Sequence, residues 1–162
     1  MTAIDEMLHA NAQFAGGFNP EPTPPTPRLA LILCMDARIE PFRAMGIRQG
    51  HAHVIRNAGG RLADAVRSLV VSQRLIGTEE VAIVHHTQCG MQRATDDEIH
   101  STLRQQGHLT EHIAFLTFAD LEESVRYDLA DYRNQPLLRQ DIPVRGFVYE
   151  VETGRLREVF ED

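Results

Sequence analysis

Leu29-Ala-Leu-Ile-Leu-Cys34 and Glu80-Val-Ala-Ile-Val-His-His86 decide the architecture of this chain. Each is a short, almost unbroken apolar run, the pattern of a strand buried on both faces. The first leads into Met35-Asp36-Ala37-Arg38 and the second into Thr87-Gln88-Cys89-Gly90. Between them, Pro41 to Ile47 suits a short helix, His53–Arg56 a strand and Asn57-Ala-Gly-Gly60 a turn. Apolar residues at 62, 65, 66, 69, 70 and 75 predict a helix from Leu62 to Ile76, closed by Gly77. Downstream, Asp96–Gln106 and Phe118–Asn134 read as helices. Val144–Val151 and Leu156–Phe160 read as the arms of a hairpin around Glu152-Thr-Gly-Arg155. Buried strands alternating with helices predict an α/β fold, a mostly parallel sheet with helices on both faces. The hairpin adds an antiparallel edge strand.

Upstream of this body, Ile4, Met7, Leu8, Ala10 and Phe14 form an apolar helical stripe, opened by Thr2 with Asp5 and ended by Gly16-Gly17. Five prolines follow between Asn19 and Pro27, which excludes helix and central strand and predicts a stiff, extended connector. The expected organisation is one domain over 1–162: a helical arm (1–18), a connector (19–27) and the α/β body (28–162). The arm stands off the body and is expected to pack on something, such as a partner subunit.

At 162 residues and 43% hydrophobic content the chain is long enough to bury a core of its own. No apolar run approaches the roughly 20 residues a bilayer span needs, and no export signal is visible. A net charge of −7 argues against nucleic acid as a partner. With two cysteines and no export signal, a reducing, cytoplasmic compartment is expected.

Ligands of open α/β sheets gather beyond the carboxyl ends of the strands. If the two apolar strands are neighbours, Cys34, His86 and Cys89 meet at one rim. Two thiolates and an imidazole suit zinc, and three protein ligands leave one of four positions open, as in catalytic sites. His86 and Cys89 are three apart, so one turn presents both, whereas Cys34 comes from another strand. The plainer alternatives are a small buried Cys34, a chance His-x-x-Cys, or a Cys34–Cys89 disulfide. His85 points to the opposite face from His86 and is read as a packed or supporting histidine. His51, His53, His100, His108 and His112 are read as solvent-facing or loop residues. Asp36 and Arg38 are close enough to pair. Beside a metal, Asp36 could close the fourth position, and a two-pronged contact from Arg38 would hold it away. An anion cradle at Arg56–Gly60 and the following helix start is a weaker reading, lacking the phosphate-loop glycine spacings.

Cys34-x-Asp36-x-Arg38 followed by His86-x-x-Cys89-Gly90 resembles the paired signature of the β-class carbonic anhydrases. The similarity extends through Val54-Ile-Arg-Asn-Ala-Gly-Gly60, Ser68-Leu-Val-Val-Ser-Gln73 and Arg145-Gly-Phe-Val-Tyr-Glu-Val-Glu-Thr-Gly154, and is nearest the short prokaryotic subgroup. It implies a Rossmann-like fold and a zinc enzyme interconverting CO2 and bicarbonate through a zinc-bound hydroxide oriented by an Asp36–Arg38 dyad. It implies Cys34, His86 and Cys89 as zinc ligands, with Asp36 as a conditional fourth ligand in a closed state. It further implies a homodimer or a multiple of dimers, with the arm lying across the neighbouring subunit. On that reading the Gly90 N–H is a donor to bicarbonate, and Met35 and Met91 are candidate pocket walls. The chain has no Trp, so the Trp-containing regulatory bicarbonate pocket of some members is expected to be absent. Two rivals stay open: carbonyl sulfide or carbon disulfide hydrolysis on the same scaffold, and a non-catalytic zinc domain for assembly or sensing.

Overall fold

The computed structural model describes residues 2–20 and 28–161, so most of the proline-rich connector lies outside the described residues. Five strands form one sheet: β1 (Leu29–Cys34), β2 (Ala52–Asn57), β3 (Glu80–His86), β4 (Val144–Tyr149) and β5 (Leu156–Val159), in spatial order β2-β1-β3-β4-β5. The first four are parallel, and β5 pairs antiparallel to β4. The hairpin closes where the Gly154 N–H donates to the Glu150 carbonyl at 2.8 Å.

Central β1 is buried from Ala30 to Cys34 and β3 from Ile83 to His86, as their continuous apolar character requires. Residues of one parity, Ala30, Ile32, Val81, Ile83, Val144 and Val148, meet helices α3 (Leu62–Val71) and α5 (Leu121–Asn134) through Leu62, Ala65, Leu69, Val125, Leu129 and Tyr132. Gly146 permits this approach, because a Cβ there would lie 2.4 Å from Val125 Cγ1 and 2.8 Å from Leu129 Cδ1. On the other face Leu31, Leu33, Val84, Ile39 and Tyr149 pack with Met45 and Ile47, which follow the short α2 (Pro41–Ala44).

The remaining helices are α1 (Ala3–Gly16) and α4 (Asp96–Gln105), both opened by capping boxes, Thr2 with Asp5 and Thr95 with Glu98. Helix α1 buries none of its residues: Ile4, Met7, Leu8 and Phe14 are all exposed. Among the described residues no helix is long and apolar enough to cross a membrane.

The short helix ends at Ala44 rather than Ile47 and the first hairpin arm at Tyr149 rather than Val151, and three further sequence expectations need correction. The helix expected over Leu62–Ile76 widens after Val71 into one π turn, Ser72–Ile76, in which the Ser72 carbonyl accepts the N–H groups of Gly77 and Thr78 while its hydroxyl bonds His53 and Thr78. The helix expected from Phe118 starts at Leu121, because Asp120 caps it and the Phe118 N–H is committed to the Met91 carbonyl. His53 and His100 are half-buried rather than solvent-facing, with Nδ1 2.8 Å from Ser72 Oγ and from Thr110 Oγ1, respectively.

Candidate metal centre

The strand order reverses between β1 and β3: β2 lies on one side of β1, and the later strands continue on the other. Such a switch point opens a crevice beyond the strand ends. Cys34 terminates β1 and His86 terminates β3, and the turn after β3 brings Cys89 back beside them. All three are buried, and their ligand atoms lie within 4.8 Å of one another.

The Cys34 and Cys89 sulfurs are 4.0 Å apart, so both thiols are free. Two sulfurs held tetrahedrally by one zinc would sit about 3.8 Å apart. Backbone N–H groups of Asp36 and Gly59 donate to the Cys34 sulfur. That of Met91 donates to the Cys89 sulfur. The Cys34 thiol is pulled down to about 4, chiefly by its bond with Cys89. The same bond and burial push the Cys89 thiol up, since two adjacent anions need a cation between them.

His86 completes the set. Its Nδ1 lies 2.9 Å from the Thr87 carbonyl, which can only accept, so Nδ1 carries the hydrogen and Nε2 the lone pair. That Nε2 is buried and, among the described residues, has no hydrogen-bond partner. A buried polar atom normally has one. An orphaned imidazole lone pair facing two thiols fits a bound cation, and the second-nitrogen bond to a carbonyl is how ligating histidines are oriented.

The chain matches known proteins across most of its length. The carbonic anhydrase family profile covers residues 29–156. The chain belongs to the β-carbonic anhydrase family. It is 41% identical over 161 residues to β-carbonic anhydrase 1 of Mycobacterium tuberculosis, covering 98% of this chain and 99% of that protein. A carbonic anhydrase crystal structure from Streptococcus mutans superposes with a TM-score of 0.91 at 41% identity, covering 99% of both chains. A carbon disulfide hydrolase of Acidithiobacillus thiooxidans is 36% identical, covering 80% of this chain and 76% of its own length.

Within this β-carbonic anhydrase framework, Asp36 and Arg38 form the expected pair. Arg38 Nε reaches Asp36 Oδ1 at 2.9 Å and Nη2 reaches Oδ2 at 2.7 Å, while the Arg38 N–H also donates to Oδ1 at 2.9 Å. The guanidinium holds the Asp36 carboxyl well below the usual carboxylate range. Asp36 Oδ2 stands 3.9 Å from His86 Nε2, at the edge of the cluster. Gly90 opens the turn after Cys89, and a Cβ added there would meet no atom within 4 Å. Met35 is exposed, whereas Met91 is half-buried with its Cγ over Gly59.

Sequence reasoning missed the supports of this site. Arg56 donates from Nε to the Cys34 carbonyl and from Nη2 to the Asp36 carbonyl, tying down the loop between ligand and acid. Gln88, left-handed at φ 56°, receives Arg38 through its side-chain and main-chain oxygens. The local signal was its central place in His86-x-x-Cys89. The supporting role of His85 is as expected: Nδ1 lies 2.7 Å from Ser124 Oγ and Nε2 3.1 Å from Asp128 Oδ2. The anion-cradle reading fails. Gly60 makes room for the Cys34 backbone, and the start of α3 is filled from within, the Leu62 N–H donating to Asp128 Oδ2 at 2.8 Å.

Proposed function

We propose that this chain catalyses the reversible hydration of CO2 to bicarbonate and a proton, with zinc held by Cys34 Sγ, His86 Nε2 and Cys89 Sγ. The observation that carries this reading is the buried, unpartnered His86 Nε2 facing two free thiols 4.0 Å apart. Zinc bound there would supply a Lewis acid that lowers the pKa of a water towards neutrality. Three donors leave a fourth tetrahedral position open.

The chain's own residues then do the orienting. Asp36, kept ionised by Arg38, accepts a hydrogen bond from the reacting water and aims its lone pair at the carbon of CO2. Arg38, held by Gln88, engages both carboxylate oxygens and would so keep them from ligating a bound metal. Were that grip lost, Asp36 would be the residue placed to ligate the metal. The Gly90 N–H donates to a bicarbonate oxygen across the space its missing side chain leaves. We assign the assembled form as a homodimer or a multiple of dimers, supported by the uncovered apolar side chains of α1. A thiolate centre with both cysteines reduced fits a cytoplasmic, reducing setting.

A carbon disulfide hydrolase among the relatives supports a second reading, hydrolysis of carbon disulfide or carbonyl sulfide at the same centre. Coverage favours CO2, since the carbonic anhydrase relative matches nearly end to end and the hydrolase does not. One preparation, analysed for metal and assayed with CO2, carbonyl sulfide and carbon disulfide, decides. The expected result is one zinc per chain with CO2 the best substrate. A metal-free chain that is fully active, or faster turnover of carbon disulfide, overturns the assignment.

A further inference from the structure

Behind the centre lies an ion pair that the proposed reaction does not use. Asp128, on α5, is 1% exposed and Arg61 6% exposed. Arg61 Nη2 reaches Asp128 Oδ1 at 2.7 Å, and its Nε lies 3.1 and 3.2 Å from the two oxygens. The same carboxylate takes the Leu62 N–H at 2.8 Å and lies 3.1 Å from His85 Nε2. Buried ion pairs are costly to desolvate, and well-packed apolar residues often match them in stability. What this one holds in place is therefore the informative question.

Its connections run to the chain beside both cysteines. On one side the Asn57 side chain clamps the Arg61 backbone, accepting its N–H at 2.7 Å and donating to its carbonyl at 2.9 Å. The loop so closed contains Gly59, whose N–H donates to the Cys34 sulfur, and Gly60, which lies against the Cys34 backbone. On the other side Arg61 Nη1 donates at 2.9 Å to the carbonyl of Leu116, a residue held at φ 60°. Two residues on, the Phe118 N–H donates to the Met91 carbonyl at 3.2 Å, and the Met91 N–H donates to the Cys89 sulfur. The Phe118 ring lies under the Arg61 guanidinium and stacks on His85, the neighbour of His86. One guanidinium and its backbone thus brace the loop packed against Cys34 and the turn that follows Cys89.

We propose that Arg61 and Asp128 are positioning residues of the metal centre, fixing the Asn57–Arg61 loop against Cys34, the Met91 turn after Cys89 and His85 beside His86. This rests on the reading of Cys34, His86 and Cys89 as zinc ligands. Outside the helix ladders, their hydrogen bonds among the described residues end on Asn57, Leu62, His85, Leu116 and each other, and on none of Cys34, His86 or Cys89. Partners that orient metal ligands typically change metal affinity about 10–100-fold when removed.

The test measures zinc affinity of the full chain by chelator competition, together with the sulfur-to-metal charge-transfer band of the cobalt-substituted protein. Arg61→Met and Asp128→Asn are expected to weaken zinc binding at least about tenfold and to shift the cobalt band. Arg61→Lys keeps the charge but not the fork, so it survives folding where Arg61→Met fails, and it is expected to fall between. Leu129→Ala, beside Asp128 but within the apolar core, controls for general destabilisation. Its zinc affinity should stay within about twofold of wild type. Wild-type affinity and an unshifted band in Arg61→Lys and Asp128→Asn overturn the proposal, as does equal weakening in Leu129→Ala. A wild-type chain that takes up no zinc instead brings down the ligand assignment beneath it, and the proposal with it.

Discussion

Arg38 grips Asp36 by both carboxylate oxygens, at 2.9 and 2.7 Å, and is itself anchored on Gln88 50 residues away in sequence. Asp36 Oδ2 nonetheless stays within 3.9 Å of His86 Nε2. The carboxylate is restrained by Arg38 rather than placed out of reach. Arg38→Ala should release it towards the fourth ligand position and cut CO2 turnover by roughly 10²-fold, the scale set by misplacing a reacting group. Stopped-flow hydration assays check this. Near-normal turnover would make the pair an ordinary surface contact worth about 0–1 kcal/mol.

The thiol pair makes metal removal a stability experiment as well as an activity one. A ligand that binds only the folded chain stabilises it in proportion to its affinity. Chelation is expected to abolish hydration and lower Tm, and zinc to restore both. Cys34→Ser and Cys89→Ser should each lose stoichiometric zinc. Metal analysis and thermal melts follow these changes.

Gly60 sits at φ 71°, and an added Cβ would lie 2.8 Å from the Cys34 nitrogen and 2.9 Å from the Leu33 carbonyl carbon. Backbone cannot swing aside as a side chain does. Gly60→Ala should cost about 2–4 kcal/mol, combining left-handed strain with overpacking. It should weaken zinc as well, because Cys34 itself moves. Urea unfolding gives the first quantity and chelator competition the second.

Asp96 at the start of α4 fastens the loop that leads to Phe118. Its Oδ1 accepts from the Thr117 N–H and hydroxyl, and its Oδ2 from the N–H groups of Phe115 and Leu116. The Thr117 hydroxyl bond, then the backbone donors, hold its carboxyl below the ordinary value. A group with a lowered folded pKa stabilises the fold above its unfolded pKa of about 3.9, and that stability drains away as pH falls through the folded value. Its contribution should therefore be constant at neutral pH and vanish in acid. Asp96→Asn should lose about 1–3 kcal/mol at pH 7 and progressively less below about pH 4. Paired unfolding curves against pH measure the difference.

Helix α1 leaves Ile4, Met7, Leu8 and Phe14 exposed, which single chains avoid in contiguous patches. Removal of residues 1–18 is expected to shift the chain from dimer to monomer in sedimentation velocity. An unchanged mass would place the subunit contact elsewhere.

Much of this was legible locally. Strands buried on both faces announce themselves as unbroken apolar runs, and β3 begins and ends at Glu80 and His86 as read. A capping pattern marked the helix start at Thr2. Soft donors at two strand ends pointed to one metal. Boundaries slipped at helix ends. The π turn forms where the Ser72 carbonyl takes the N–H groups of Gly77 and Thr78, and α5 starts late because Asp120 caps it.

Sequence by itself determined the kinds of groups available: two thiols, an imidazole, an acid beside a base, and strands able to carry them. Side-chain chemistry and hydrophobic period are properties of short stretches. Only the tertiary structure decided that β1 and β3 are neighbours, that His86 Nε2 is left without a partner, and that Asp128 fills the start of α3 and holds Arg61. Those facts join residues tens of positions apart. Burial, which makes an unpaired atom costly and a fixed donor effective, exists only once the chain has closed on itself.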